Sequence, residues 1–340
     1  MAVPFSSRQL KDRPKSATYV TLHFDRKAVA VRDDAAKKVQ SPIPSLEAPI
    51  QVDDQGAWSS KGRRKAQEDA FVLHEVHDTK QRTVILAGVM DGHLGTAASH
   101  FVRDNLPEAF YTEILRESMA PTDGLLERAW NDVCDDYRAE CSIESCAAEY
   151  NKEGLLMAHT ASTDTEAGST ACIMALDLQT SHLGVLNCGD PRALVIDEKG
   201  DIRFQTSDHT PGSEKELLRF EEAKSQGLGY SEPFCQLSKW RLPVGEYNYA
   251  VSRSLEGPFA TSKGIVSMPD VSTFQFSGPA MIAVVATDGF WEVIDSKEAA
   301  RILHRIRHKQ GTGASDAAKT LCSLAVERGS STMSVPSLSI

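Results

Sequence analysis

Two aspartates follow apolar runs that have the length and composition of β-strands. Asp91 ends the run TVILAGVM at 83–90, and Asp288 ends the run MIAVVAT at 281–287; a glycine follows each aspartate. A carboxylate at a strand end lies at the rim of a sheet, and the glycine lets the backbone carbonyl turn toward the same point. Because hard divalent cations bind such oxygens, the pair predicts a Mg2+ or Mn2+ site. A plain turn after a strand is the alternative for either Asp-Gly.

The surrounding pattern predicts the elements that would position these carboxylates. Further strands are expected at 169–177, 182–188 and 192–197, and helices at 96–116, 123–150, 213–226, 296–309 and 315–328. The runs 182–188 and 192–197 are expected to pair across the turn Gly189-Asp190-Pro191. The sequence therefore predicts antiparallel sheet with helices packed outside it.

The chain divides into an arm and a domain. Residues 1–55 mix charged residues, Ser and Pro around a short apolar stretch at 19–24, and this composition predicts a poorly ordered N-terminal arm. From Trp58 onward apolar runs alternate with amphipathic segments, which indicates one catalytic domain over 56–340.

Composition restricts the classes of function. A hydrophobic fraction of 41% in 340 residues is enough for a sizeable core, and a net charge of -10 argues against a nucleic-acid or anionic-membrane partner. The seven cysteines include no C-x-x-C pair, and no apolar run reaches the roughly 18 residues of a membrane span. We expect a soluble intracellular monomer, in the cytoplasm, the nucleus or both.

A series of motifs accompanies the two aspartates along residues 58–334. They are Gly62-Arg63-Arg64-Lys65-Ala66-Gln67-Glu68-Asp69, Asp91-Gly92-His93, Gly168-Ser169-Thr170-Ala171, Asn187-Cys188-Gly189-Asp190-Pro191-Arg192-Ala193, Asp208-His209-Thr210-Pro211, Ala250-Val251-Ser252-Arg253-Ser254-Leu255 and Ala286-Thr287-Asp288-Gly289-Phe290-Trp291. In this order the motifs resemble the metal-dependent type 2C (PPM) family of protein serine/threonine phosphatases. The resemblance implies an α+β fold, a four-layer α-β-β-α sandwich of two packed antiparallel sheets flanked by helices.

The resemblance also implies a binuclear Mg2+ or Mn2+ site. Asp91 would bridge two ions, the Gly92 carbonyl would contact one of them, and Asp288 would bind the other. Glu68 and Asp69 would lie in or just outside the first coordination shell. Asp190 matches a position that, together with Asp288, can hold a third and weaker ion, although Asp190 and Arg192 could instead only shape a hairpin turn.

The chemistry implied by the resemblance is hydrolysis of phosphoserine or phosphothreonine in a phosphoprotein by a metal-activated water. Arg64 would bind the phosphate, and His93 would protonate the leaving alkoxide. Plainer interpretations remain: Arg64 lies in a basic cluster that could be a solvated face, Glu68 and Asp69 could form a solvated loop, and His93 could be a turn residue.

Two departures from the family pattern stand out. The family normally ends with Gly-Ser-x-Asp-Asn, whose Asp binds metal, whereas residues 329–336 here read GSSTMSVP, one residue shorter and without an acid. Glu256-Gly257 replaces the usual Gly-Asp. The first departure predicts weakened metal affinity, and it supports an alternative function as a catalytically weak or inactive pseudophosphatase that binds partners as a regulator.

A cysteine-dependent phosphatase is a further alternative, because Cys235 and Arg241 have C-x5-R spacing. That chemistry needs a loop of backbone N–H groups around the phosphate, usually with glycine. The segment CQLSKWR contains no glycine. We therefore interpret this spacing as coincidence.

Overall fold

The structure is a computed structural model that describes residues 8–9, 17–25, 51–60, 66–78, 82–116, 122–146, 166–275, 280–309 and 312–328. Its strands are β1 (Arg8–Gln9), β2 (Ala17–Asp25), β3 (Gln51–Ser60), β4 (Ala70–His77), β5 (Thr83–Met90), β6 (Gly92–His93), β7 (Gly168–Ser169), β8 (Ala171–Asp177), β9 (His182–Cys188), β10 (Arg192–Asp197), β11 (Ile202–Gln205), β12 (Phe234–Gln236), β13 (Lys239–Val244), β14 (Tyr247–Tyr249), β15 (Asp270–Gln275) and β16 (Ala280–Ala286). Its helices are α1 (Ala97–Arg116), α2 (Thr122–Cys146), α3 (Glu214–Ser225), α4 (Pro258–Ser262), α5 (Asp288–Trp291), α6 (Ser296–His304) and α7 (Ala314–Arg328), with a π-helical turn at Arg305–Lys309 after α6.

Two antiparallel five-stranded sheets form the centre of the molecule. Their strand orders are β15-β9-β8-β5-β4 and β11-β10-β16-β2-β3. Ile85 and Val185 of one sheet and Val195 and Val285 of the other belong to a single buried apolar cluster. The inner faces of the two sheets therefore pack against each other.

Helices cover both outer faces of this sandwich. Phe110 of α1 and Trp130 of α2 join the core on the β5 side, while Leu303 of α6 and Leu321 of α7 join the core on the β16 side. These layers confirm the predicted four-layer α-β-β-α sandwich. The predicted strands and helices are present with ends shifted by a few residues, except that residues 147–150 of the second helix lie outside the described residues and the fourth helix becomes π-helical at Arg305.

The predicted hairpin between residues 182–188 and 192–197 is wrong. Strand β9 pairs with β8 and β15, whereas β10 pairs with β11 and β16 in the other sheet. Both strands are buried almost throughout, so each is an interior strand with a neighbour on both sides. The segment Gly189-Asp190-Pro191 is therefore a crossover between the two sheets.

Part of the predicted N-terminal arm forms strands that the sequence pattern did not predict. Residues 17–25 form strand β2, which pairs with β3 on one side and along the whole of β16 on the other. Because β16 lies in the middle of the molecule, its backbone N–H and C=O groups need partners on both edges. Strand β2 supplies those partners on the edge away from β10.

The region between β11 and β15 forms a smaller lobe on the sandwich. It contains α3, the strands β12, β13 and β14, and α4, around a separate apolar cluster that includes Phe220 and Leu242. Residues 8–9 pair in parallel with β14 of this lobe. Within the described part of the chain, no helix is both long and apolar enough to cross a bilayer.

Candidate active site

Three buried carboxylates meet at one rim of the sandwich. Asp91 follows β5, Asp190 lies in the crossover between β9 and β10, and Asp288 begins α5 directly after β16 and Thr287. One oxygen from each carboxylate lies within 4.8 Å of the others, and each residue is at most 7% exposed. The structure thus brings together the two aspartates that end apolar strands and adds Asp190.

These carboxylates form a set that fits a hard cation. Ionised carboxylates this close together and out of water repel one another, and a divalent cation among them would remove that repulsion. The set contains only oxygen donors, which matches Mg2+ or Mn2+ better than the softer metals that prefer Cys or His.

The Gly168-Ser169-Thr170-Ala171 motif holds Asp91. The backbone N–H of Thr170 donates to the Asp91 carbonyl at 3.0 Å, and Gly92 pairs with Ser169 between β6 and β7. The Asp91 backbone is therefore fixed from the start of β8, the strand that pairs with β5.

Gly92 is required for a reason different from the one predicted. Its φ angle is not among the positive values of the described residues, so it does not need glycine's conformational freedom. A Cβ at this position would instead overlap the carbonyl oxygen of Glu68. The same Glu68 carbonyl accepts a hydrogen bond from Ser99 Oγ at 2.6 Å. Only glycine lets the Glu68 backbone approach the residue after Asp91 this closely.

Glu68 and Asp69 lie beside the three-carboxylate cluster but are not part of it. The Glu68 carboxylate accepts the backbone N–H of Gly95 at 3.0 Å, at the entry to α1, and Asp69 is 3% exposed. Both residues are therefore placed by β4 and the start of α1, next to the rim.

His209 fixes the crossover that carries Asp190. Its Nδ1 accepts the backbone N–H of Gly189 at 3.1 Å, and its own backbone N–H donates to the Gly189 carbonyl at 2.8 Å. Burial, together with the charge of Arg253, lowers the pKa of His209, so the ring stays neutral and Nδ1 remains an acceptor. The Asp208-His209-Thr210-Pro211 motif thus clamps the crossover next to Asp190.

A pocket with a volume of about 430 Å3 opens beside the cluster. Asp190 and Asp288 line one part of it, and Arg192 and Arg241 line another. Arg192 binds Asp208 through two hydrogen bonds of 2.6 and 2.9 Å, which raise the pKa of its guanidinium, and the charges of Asp190 and Asp288 add to this effect. The lining of the pocket therefore carries both acidic and basic side chains.

The C-x5-R spacing is a coincidence of the hairpin β12-β13. Cys235 pairs with Trp240 and Arg241 pairs with Phe234, so Cys235 and Arg241 occupy neighbouring register positions whose side chains alternate between the faces. Cys235 is exposed, whereas Arg241 is 6% exposed. The two side chains do not form a cysteine-phosphatase loop.

His93 lies directly after the Asp91-Gly92 turn. Its Nε2 is 2.6 Å from Oε1 of Glu256, a residue with no predicted role in the site. The departure of Glu256-Gly257 from the family pattern marked this position. Motif spacing could not predict its contact with His93, because the two residues are 163 positions apart in the sequence. Arg64 and residues 329–336 lie outside the described residues.

Comparisons with known proteins identify the family of this chain and agree with its fold. The family model "Protein phosphatase 2C" matches residues 53–333, and the chain belongs to this family. A rice protein named "Probable protein phosphatase 2C 32" is 28% identical over 79% of this chain and 61% of its own length. "Protein phosphatase 1L" of Bos taurus is 28% identical over 72% of this chain and 62% of its own length.

A solved structure supports the fold alone. The serine-threonine phosphatase 2C from Toxoplasma gondii is similar with a TM-score of 0.62 and 21% identity, over 82% of this chain and 91% of that chain. The matches to the rice and cattle relatives leave more than a third of each relative's length outside the alignment.

Proposed function

We propose that this chain is a metal-dependent protein serine/threonine phosphatase that hydrolyses phosphoserine or phosphothreonine in phosphoproteins. The observation that carries the proposal is the meeting of Asp91, Asp190 and Asp288 at one buried rim, in a chain of the protein phosphatase 2C family.

The residues at this rim would hold two divalent cations and a weaker third. Asp91, Asp190 and Asp288 would supply carboxylates, Gly92 would supply a backbone carbonyl, and Glu68 and Asp69 would orient water around the ions. When bound, Mg2+ or Mn2+ would act as a Lewis acid that activates water and offsets charge on the phosphoryl oxygens.

The chain's own side chains would bind the phosphate and supply a proton. His93 lies directly after the Asp91-Gly92 turn with a side chain 17% exposed, and it is proposed to protonate the departing serine or threonine oxygen. Arg64 is proposed to bind the phosphate, on the strength of the motif that it shares with the family. The pocket beside the cluster offers room for the residues that flank the phosphorylated one.

Hydrolysis of a phosphoserine peptide, followed as phosphate release against Mn2+ concentration, tests this function. Wild-type protein is expected to turn over the peptide with metal, and the Asp91→Ala variant to lose turnover by about 100-fold or more. Asp135→Ala, at a side chain 81% exposed on α2, is the matched control and is expected to behave as wild type. If wild type and Asp91→Ala are equally inert at millimolar Mn2+, the phosphatase proposal fails and a regulatory binding function takes its place.

A further inference from the structure

Three short backbone segments lie side by side next to the acidic rim. His93 pairs with Gly168 and Gly92 with Ser169, while Ser169 exchanges backbone hydrogen bonds of 2.8 and 2.9 Å with Leu255. This register places His93 and Glu256, the residue after Leu255, on either side of the strand that contains Gly168.

Gly168 leaves the space that Glu256 occupies. A Cβ on Gly168 would overlap all three atoms of the Glu256 carboxylate. With no side chain there, the carboxylate crosses the strand and its Oε1 reaches His93 Nε2 at 2.6 Å. The contact therefore depends on Gly168 as well as on the acid itself.

The Glu256 carboxylate is buried and held by further hydrogen bonds. The residue is 1% exposed, Ser254 Oγ donates to Oε1 at 2.5 Å, and the Tyr249 hydroxyl donates to Oε2 at 3.4 Å. Burial and the neighbouring Glu256 carboxylate raise the pKa of Tyr249 well above its usual value, so its hydroxyl keeps its hydrogen. A carboxylate removed from water costs several kcal/mol unless it is paired in this way.

The His93 ring is fixed on two sides. Its edge packs against Tyr249 with ring centroids 5.4 Å apart and an interplanar angle of 86°, while Nε2 faces Glu256. Leu94, the next residue, has a left-handed φ of 59°, a backbone conformation that is unfavourable in free energy for leucine. Within the described residues, Nδ1 has no hydrogen-bond partner.

We propose that Glu256 is a positioning residue that acts through His93. Its Oε1 accepts the hydrogen on Nε2, which fixes the ring orientation and leaves Nδ1 as the nitrogen that faces the substrate. As the P–O bond breaks, the doubly protonated ring gives its Nδ1 proton to the departing serine or threonine oxygen. The ring is then neutral, and its remaining hydrogen stays on Nε2, donated to Glu256. This inference rests on the proposed function.

The Glu256→Gln variant tests the role because it nearly preserves volume while removing the charge. p-Nitrophenyl phosphate has a good leaving group that needs little protonation, whereas a phosphoserine peptide has a poor one. We expect kcat on the phosphoserine peptide to fall by about 10-fold or more, the size typical for residues that orient a catalytic group, and kcat on p-nitrophenyl phosphate to fall by less than about 3-fold. Equal losses on both substrates, or no loss on the peptide, would overturn the proposal.

A double-mutant cycle tests whether Glu256 acts through His93. In a His93→Ala background, Glu256→Gln is expected to cause no further loss on the phosphoserine peptide, because its partner is already gone. Independent, multiplying losses would contradict the proposal. Thermal unfolding of each variant separates a loss of fold from a loss of positioning.

The imidazole 15N signals of His93 give a test that needs no activity. In wild-type protein they are expected to show the hydrogen on Nε2, and in Glu256→Gln a shift of those signals. A ring that carries its hydrogen on Nδ1 and none on Nε2 would overturn the inference even in an active enzyme. A wild-type protein that is inactive but has its hydrogen on Nε2 would instead contradict the proposed phosphatase function and leave the hydrogen bond established.

Discussion

Asp91 and Asp288 end strands of different sheets, yet their carboxylate oxygens lie within 4.8 Å of each other and of an Asp190 oxygen. The inner faces of the two sheets meet, so the ends of β5 and β16 reach the same rim. The crossover from β9 to β10 passes between the sheets at that rim and adds the third carboxylate. The sandwich therefore concentrates negative charge where a cation can bind.

The Asp190→Asn variant should change stability in opposite directions with and without metal. Without a cation, the variant removes repulsion among buried carboxylates, so its unfolding temperature in EDTA should equal or exceed that of wild type. With millimolar Mn2+, wild type should gain more from binding, and the variant should unfold about 2–4 °C lower, which corresponds to roughly 1 kcal/mol. Calorimetry measures the unfolding temperature in EDTA and in Mn2+. A variant that is less stable than wild type by the same amount in both buffers would contradict a cation site at Asp190.

Gly92→Ala should destabilise the fold. The new Cβ would overlap the Glu68 carbonyl, which is backbone and cannot move alone, so we expect a loss of about 1–3 kcal/mol in the free energy of unfolding. Gly124→Ala is the matched control: it lies in α2, and its Cβ would only touch the flexible end of Arg128 at 3.5 Å. That variant should be neutral or gain up to about 1 kcal/mol. Urea unfolding gives both values, and a neutral Gly92→Ala would contradict the close approach.

Asp270→Asn should lower stability most near neutral pH. Burial alone would raise the pKa of Asp270, but the hydrogen bond from Lys215, the His209 ring 3.3 Å away and the charge of Arg253 lower it to about 2. A depressed pKa stabilises the fold above the unfolded-state pKa of about 4, and this stabilisation is lost as pH falls toward 2.

We expect Asp270→Asn to cost about 1 kcal/mol at pH 7, a value reduced for screening because the side chain is 35% exposed. The difference from wild type should shrink between pH 5 and pH 2, because the carboxyl of the unfolded wild-type chain takes up a proton near pH 4 while the folded one stays ionised until about pH 2. Urea midpoints across this range measure it, with the exposed Asp135→Asn as control. A difference that stays constant with pH would contradict the assignment.

Thr332→Asp should tighten metal binding. The segment at 329–336 lacks the acid of the family's terminal motif, and a carboxylate attracts a divalent ion more strongly than a hydroxyl does. The variant should lower the Mn2+ concentration for half-maximal phosphatase activity by about 10-fold. Because the segment is one residue shorter than the family's terminal motif, the missing acid can be aligned with either Thr332 or Ser331. Ser331→Asp tests the second alignment. If neither variant changes the Mn2+ dependence, the missing acid does not limit metal affinity.

Much of the fold and part of the candidate site could be predicted because they depend on local patterns. Apolar runs of strand length predicted β5, β8, β9, β10 and β16, and the Asp-Gly steps near the ends of β5 and β16 predicted Asp91 and Asp288 as metal ligands. The structure brings their carboxylate oxygens within 4.8 Å of each other, and the metal-binding role stays a prediction. Strand partners depend on tertiary packing, so the pairing of β9 with β10 was predicted wrongly. Strand β2 was missed for a similar reason: its short apolar stretch becomes a strand where β16 offers an edge.

The contact between His93 and Glu256 could not be predicted from spacing. It depends on three backbone segments that meet only in the folded protein and on the space above Gly168. The departure Glu256-Gly257 marked the position without giving its partner. The requirement for Gly92 was likewise explained only by the approach of Glu68.

Equilibrium dialysis of Mn2+ against wild type and Asp91→Ala, with phosphoserine-peptide turnover measured in the same samples, tests whether Asp91 builds a catalytic metal site. Wild type is expected to bind Mn2+ and to gain activity as the ions bind, while Asp91→Ala is expected to lose both bound metal and turnover. Equal Mn2+ binding by the two proteins, or peptide turnover by wild type that persists after chelation, would contradict a metal site built on Asp91, Asp190 and Asp288.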